Sequence, residues 1–310
     1  MNISGVLPID KPEGPTSHDI VSEVRKRLGL KKVGHAGTLD PFASGLLLVG
    51  VGNGTRVLEY LMNHSKVYHV KMRLGIITDT FDITGQIMEE RPVDCSTDQI
   101  LSVIKSFVGR YTQIPPAYSA RKYKGERLYE LARKGRIIRL PPREVTIYKI
   151  EDITIDGNDV SFTTEVSPGT YIRSLCMDLG YALGCGATTL KLRRVSIGPF
   201  KVDNAIDIFK VSHHEILSHL LDLSRVLSMP RIYVKTSGFE KIIDGATLRA
   251  QDVENFEDFS KNSLVQVIYK DRLIAIARTQ RSSTFTRTLI RQNRNEPLFK
   301  PVKVLKENQE

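Results

Sequence analysis

The sequence predicts an α+β fold: a central mixed or antiparallel sheet with flanking helices and a basic insertion, then a small β-rich C-terminal module. Three observations lead there. Tyr68, Val70, Met72 and Leu74 alternate with His69, Lys71 and Arg73, the period-two pattern of a half-buried strand with a basic outer face. Residues 145–155 and 160–166 read as strands joined by Asp156-Gly157-Asn158-Asp159, a strong hairpin signal. Helical periodicities are interspersed, and with the hairpin and the alternating strand they argue for α+β rather than a doubly wound parallel sheet.

Taken in order, residues 4–9 read as a short strand stopped by Asp10-Lys11-Pro12-Glu13-Gly14-Pro15. Thr16-Ser17 can cap the next helix. Its apolar positions Ile20, Val21, Val24 and Leu28 recur at helical spacing, and Gly29 supplies the stop. Residues 33–45 crowd together Gly34, Gly37 and Gly45, the polar side chains of His35, Thr38, Asp40 and Ser44, and an Asp40-Pro41 turn whose proline ring locks φ. Leu46-Leu47-Leu48-Val49 follows as a buried strand. Gly52-Asn53-Gly54-Thr55 is a turn, with Thr55 as the cap of a helix ending near Met62. Beyond the 68–74 strand come a polar loop at 78–85, a short strand at 86–89 and a helix over about 97–108. A helix at 171–183, a basic strand at 190–197 and a helical segment to about residue 228 complete the body. Met229-Pro230 reads as a linker, so the expected division is 1–229 and 231–310. In the second part, strands near 264–269 and 272–278 turn at Lys270-Asp271.

The chain has 310 residues, 41% of them hydrophobic, enough for ordinary cores. Its net charge of +10 favours a polyanionic partner, nucleic acid first. The charge is uneven. Residues 121–149 hold ten Lys/Arg against three Asp/Glu, overlapping an insertion over about 110–145 in which Pro115-Pro116 and Pro141-Pro142 bracket the charged segment. Tyr118, Tyr123 and Tyr129 lie among these cations, and a helix is expected over about 125–134. A solvated face is the plainer reading; contact with phosphates is the favoured one.

Cys95, Cys176 and Cys185 form no CxxC and fit reduced thiols in a cytoplasmic protein. No signal-peptide pattern and no membrane-length apolar run is seen, so no membrane is expected. His35/Asp40 and His64/His69 are each five apart, not at HExxH spacing, so no metal is expected.

What remains is a carboxylate enzyme acting on nucleic acid. Asp40, on a rigid loop beside a core strand, is placed as a reactive acid would be. The plainer reading is a glycine-rich loop with a helix-capping Asp. Tyr68 offers a ring for a base to stack on and a weakly acidic hydroxyl, or it simply faces the core. Arg173 beside an aspartate favours the charged form, or it simply caps a helix or pairs on the surface. Spacing alone does not bring the three together.

The stretch Gly34-His35-Ala36-Gly37-Thr38-Leu39-Asp40-Pro41-Phe42-Ala43-Ser44-Gly45-Leu46-Leu47 resembles the signature of the tRNA pseudouridine-55 synthases, the TruB family. So do Asp10-Lys11-Pro12-Glu13-Gly14-Pro15-Thr16-Ser17, Lys66-Val67-Tyr68, Thr78-Asp79-Thr80-Phe81-Asp82, Pro115-Pro116-Ala117-Tyr118-Ser119-Ala120, Gly169-Thr170-Tyr171-Ile172-Arg173-Ser174-Leu175 and Leu192-Arg193-Arg194. Their order and spacing match throughout residues 5–200. The tail, with Leu248-Arg249, resembles a PUA-type RNA-binding module more loosely.

The resemblance implies a cleft across an antiparallel sheet and the isomerisation of a uridine to pseudouridine in the TΨC loop of tRNA, without a cofactor. Asp40 would attack C1′ or the base as a nucleophile, or assist proton removal at C2′ to give a glycal. Arg173 would keep it ionised and dry, Tyr68 would stack on the uracil, and Leu192 would wall the pocket. The target base must be flipped out at a cost of a few kcal/mol. His35 would fill the vacated space or merely bond to the glycine loop, and Lys11 would be a phosphate or structural contact. Arg121, Lys122, Lys124, Arg127, Arg133 and Arg143 of the insertion would clamp the T stem-loop. No protein partner is implied, and a monomer is the default. The alternative function is a non-catalytic RNA-binding or tRNA-chaperone protein.

Overall fold

The structure, a computed structural model, describes residues 3–116, 122, 123, 125–127, 136, 138 and 140–306. Its larger sheet has nine strands: β1 (Gly5–Lys11), β2 (Val33–His35), β3 (Ser44–Val51), β4 (Lys66–Leu74), β5 (Gly109–Gln113), β6 (Arg143–Asp156), β7 (Asp159–Val166), β8 (Ala187–Ile197) and β9 (Phe200–Lys201). The order is β1-β3-β8-β4-β7-β6-β5, with β2 on β3 and β9 on β8. All pairs are antiparallel except β3 and β8, which run parallel where Arg193 faces Ser44 and Arg194 faces Gly45. The sheet is therefore mixed, in an α+β arrangement, as predicted. The parallel junction sets the end of β8 beside the loop that precedes β3.

Local sequence explains the elements. Thr16 caps α1 (Ser17–Leu28) in a reciprocal box with Asp19, and Gly29 ends it at φ 65°. In the β6–β7 hairpin Asp156 faces Asp159, which leaves Gly157-Asn158 as a two-residue turn. On β4, Tyr68, Val70, Met72 and Leu74 are buried as the alternation predicted. They pack with Ile100 and Ile104 of α2 (Thr97–Ser106) and Leu175 and Leu179 of α3 (Ile172–Ala182) in one apolar cluster.

Three expectations are corrected. After Gly52 the chain forms a 3-10 turn and then the one-turn helix Leu58–Leu61, whose N-cap is Val57. Thr55 donates its hydroxyl back to Gly52 O at 2.8 Å, so it closes the 3-10 turn instead of capping a helix. The segment to residue 228 breaks into three short pieces: Val202–Asn204, His213–Ser218 and Leu223–Val226. In the insertion, Lys122–Tyr123 pairs with Glu126–Arg127 around Gly125 at φ 94°, a left-handed backbone on which the predicted helix cannot begin. Most of the rest of that predicted helix lies outside the described residues.

The second sheet contains β10 (Arg231–Val234), β11 (Leu248–Arg249), β12 (Val253–Phe256), β13 (Leu264–Tyr269), β14 (Arg272–Thr279) and β15 (Pro297–Val304). Its order is β11-β15-β14-β13-β10-β12. Lys270 and Asp271 make the predicted turn with φ of 47° and 62°. An apolar cluster shared between the sheets joins Val6, Leu46 and Leu48 to Ile268, Leu273 and Ile276. Polar contacts span the same junction, among them Asn53 Nδ2 donating to Lys306 O at 3.0 Å. Among the described residues no helix is long and apolar enough to cross a membrane.

Candidate active site

The loop between β2 and β3 is held from several sides by its main chain. Ser17, the first residue of α1, bonds both ways with Leu39: its hydroxyl donates to Leu39 O at 3.0 Å and accepts from Leu39 N at 2.9 Å. Gly14 N donates to Pro41 O at 2.8 Å. From β8, the buried Arg194 donates to Leu46 O at 2.7 Å, Gly37 O at 3.3 Å and Thr38 O at 3.4 Å. Gly45, at φ 106°, lies so close to β8 that a Cβ would collide with the Arg194 carbonyl. Gly37 also needs its positive φ of 93°, whereas Gly34 does not and sits in β2. Asp40 opens a four-residue turn closed by Ala43 N to Asp40 O at 3.1 Å, and no helix follows. The helix-capping reading of Asp40 is thereby corrected.

With the backbone fixed, the Asp40 side chain meets Arg173. Arg173 Nε donates to Oδ2 at 2.9 Å and Nη2 to Oδ1 at 3.1 Å. This bidentate fork sets the plane of the carboxylate with two charge-assisted bonds. The Arg173 side chain is 5% exposed and that of Asp40 32%, so the arginine is buried beneath a carboxylate that still reaches solvent. The remaining edge of Arg173 is also taken: Nη1 donates to Thr80 O at 2.7 Å and lies 3.2 Å from Asp82 Oδ2. Asp82 is as buried as the arginine and accepts from Thr80 Oγ1, Thr84 N and Thr84 Oγ1 at 2.9, 3.0 and 2.6 Å. Between Thr80 and Asp82, Phe81 adopts φ 63°, a left-handed conformation rare for a bulky residue. It lets the carbonyl before it and the carboxylate after it reach one guanidinium.

Chain neighbours of Asp40 and Arg173 pack with Tyr68 and Leu192. Leu39 and Ala43, which flank Asp40, share one apolar cluster with Tyr68, Ile172 and Leu192. Tyr68 on β4 faces Arg194 on β8, and Leu192 faces Val70, so Tyr68 and Leu192 lie on the same side of adjacent strands. His35 ends β2, half-buried, opposite Val49.

Lys11 is the main correction to the expected RNA contacts. It is fully buried, and its Nζ donates to Pro12 O, Pro15 O and Pro41 O at 2.8, 2.9 and 3.3 Å. An ammonium has three N–H donors, so none is left for a phosphate. The structural contact replaces the phosphate contact. Burial lowers the Lys11 pKa to about 8, while nearby Asp40 pulls it upward.

Of the insertion's cations, Arg143 begins β6, half-buried, with its guanidinium against Gly169. The backbones of Lys122 and Arg127 face one another in the small hairpin. Arg121, Lys124 and Arg133 lie outside the described residues.

Sequence reasoning missed Ser17, Asp82 and Arg194 as supports of this centre. Ser17 was legible only as a helix start. Asp82 and Arg194 lay inside quoted motifs without a role, because their partners are distant in sequence.

The helix that carries Arg173 has a charge of its own beneath it. Burial pushes the Asp178 carboxyl from 3.8 up to about 6, against a hydrogen bond from Tyr111 that lowers it. Between those values the folded protein holds more protons than the unfolded chain, so stability falls as pH rises from about 4 to about 6. At about 1.4 kcal/mol per pKa unit, and after solvent screening, this costs about 1–2 kcal/mol. Asp178→Asn is therefore expected to be more stable than the parent at pH 7.5 by about that amount. The gain should vanish below about pH 4. Urea unfolding at both pH values checks it; an equal gain at pH 3.5 would reject the assignment.

The chain is also similar to known proteins. "TruB family pseudouridylate synthase (N terminal domain)" matches residues 25–172, and "tRNA pseudouridylate synthase B C-terminal domain" matches residues 173–227. The chain is similar to the tRNA pseudouridine synthase B of Thermotoga maritima, 51% identical over 294 residues that span 94% of this chain and 95% of that protein. That of Clostridium novyi is 40% identical over 270 residues, 87% of this chain and 93% of the relative. Among solved structures, an H/ACA RNP bound to a substrate RNA containing 2′-deoxyuridine superposes with a TM-score of 0.73 at 28% identity, covering 97% of this chain and 85% of the other. With its fold, its aspartate loop and relatives this similar over nearly their whole length, the chain belongs to the TruB family of pseudouridylate synthases.

Proposed function

We propose that the Asp40–Arg173 pair is the reacting centre with which this chain isomerises uridine to pseudouridine in tRNA, and that the target is uridine 55 in the T stem-loop. The observation that carries the reading is the bidentate Arg173 fork beneath a carboxylate that still reaches solvent. The reaction breaks N1–C1′ and joins C5 to C1′. N1 gains a proton and C5 loses one to water. No electron is gained or lost overall, so one carboxylate suffices in kind. Asp40 acts at C1′ or the base as a nucleophile, or at C2′ as a base.

Tyr68 offers its ring to the uracil, and Leu192 closes the apolar wall. His35, at the end of β2 where the Asp40 loop begins, takes the space of the flipped base. The cations of the insertion hold the stem by its phosphates, and the 231–310 module, read as PUA-type, adds a second RNA contact to a 1–229 catalytic body. A single chain is the acting unit.

The test is tritium release from a tRNA transcript containing 5-tritiated uridine, with chelator present. One equivalent of tritium per tRNA is expected, and replacement of uridine 55 by cytidine should abolish it. Release that survives the replacement would reject the position. Binding without release would favour the non-catalytic RNA-binding reading.

A further inference from the structure

Both strands that lead into the insertion also grip the segment that leads into Arg173. Gln113, the last residue of β5, is fully buried. Its Oε1 accepts from Tyr171 N at 2.8 Å and its Nε2 donates to Tyr171 O at 3.0 Å, so one side chain holds both main-chain groups of that residue. Tyr171 is the N-cap of α3, and no side chain of its own caps the helix. One residue beyond Gln113, Ile114 O accepts from Ser174 Oγ at 3.0 Å. The second root behaves alike. Arg143 faces Gln113 across the sheet and lays its guanidinium against Gly169, so closely that a Cβ there would come within 2.5–2.8 Å of it. Three residues further along β6, Thr146 exchanges hydrogen bonds with Ser167 at 2.8 and 2.9 Å. Residues 167–174 are thus clasped by the two ends of the insertion, and Arg173 lies inside the clasped stretch.

We propose that Gln113 is a positioning residue for the reaction: it sets the first turn of α3, and through it the Arg173 fork on Asp40, and so ties the seating of the insertion to the geometry of the reacting centre. The proposal rests on the reading of Asp40–Arg173 as that centre. The physical reason is leverage over a short distance. Arg173 is two residues from Tyr171, on a helix, so a small shift of the cap carries directly into its guanidinium. A displacement of about 1 Å at a reacting group can cost about a hundredfold in rate. Gln113 touches neither Asp40 nor Arg173, so its effect on turnover comes through the helix.

The test compares the full-length parent with Gln113→Leu, Ser174→Ala and Asp40→Asn, using single-turnover tritium release and separate measurement of tRNA affinity. Gln113→Leu should lower the saturated single-turnover rate by about 10–100-fold, with tRNA affinity changed by less than about threefold. Ser174→Ala, which removes only the second staple, should lower it by about 3–10-fold in the same pattern. If Gln113→Leu does not fold, Ser174→Ala decides: a wild-type rate from it overturns the proposal. So does a loss that lies wholly in tRNA affinity, or parental rates from both variants while Asp40→Asn is inactive. Should Asp40→Asn itself turn over normally, the reading of the centre fails instead.

Discussion

Asp40→Asn is expected to lower pseudouridine formation by about 10³-fold or more while tRNA still binds. The substitution preserves shape and removes chemistry. Arg173 presents two N–H groups to the two carboxylate oxygens. An amide offers one oxygen to that fork and turns an NH2 toward the other donor, so one bond becomes a repulsion. The negative charge is lost with it, and neither attack at C1′ nor proton removal at C2′ has an agent. The loop itself should survive, because its supports act on main-chain carbonyls: Arg194 on Gly37 and Thr38, Ser17 on Leu39. Tritium release gives the rate, and electrophoretic retardation of unmodified tRNA gives the binding. Turnover above about 1% of the parental rate would remove Asp40 from the chemistry.

Arg173→Met is expected to fail twice, in activity and in stability. One guanidinium serves Asp40 and Asp82, and Asp82 is 5% exposed. Removing the cation leaves a buried carboxylate without its ion partner, which costs about 3–5 kcal/mol. It also frees Asp40 from its plane, for a rate loss of about 10²-fold or more. Arg173→Lys keeps the charge but not the fork, and should fall between the two. The double variant Arg173→Met/Asp82→Asn separates the effects. It should regain much of the stability, because a neutral amide in place of the Asp82 carboxylate needs no counter-charge, and none of the activity, because Asp40 is still unheld. Urea midpoints and single-turnover rates measure both. Recovered activity in the double variant would show that Arg173 serves stability alone.

Much of the fold was legible because its signals are local. A cap is chosen within four residues, as Thr16 and Asp19 show, and a hairpin turn within two, as Gly157-Asn158 shows. The burial of β4 follows from alternation alone. The misreadings share a cause. Thr55 had the right chemistry for a cap, but the close-packed Gly52–Gly54 turn against the β1 segment used its hydroxyl first. Lys11 reads as a surface cation in any local window. It is buried because the 12–15 turn and the aspartate loop close over it and offer three carbonyls.

By itself, then, the sequence determined most of the longer strands, the Thr16 cap and the two-residue hairpin turns, the concentration of positive charge, and the family motifs that single out Asp40, Tyr68, Arg173 and Leu192. Only the tertiary structure decided which groups meet. Asp40 and Arg173 are 133 residues apart, and Arg194 reaches back 157 residues to Gly37. Their encounter depends on the parallel junction of the larger sheet, where Gly45 is set beside Arg194, and on the order of strands around β4. The physical reason is that a carboxylate selects its partner by distance in space, which strand order and register set. The short-range preferences that build a strand or a helix carry no record of which strand will become its neighbour.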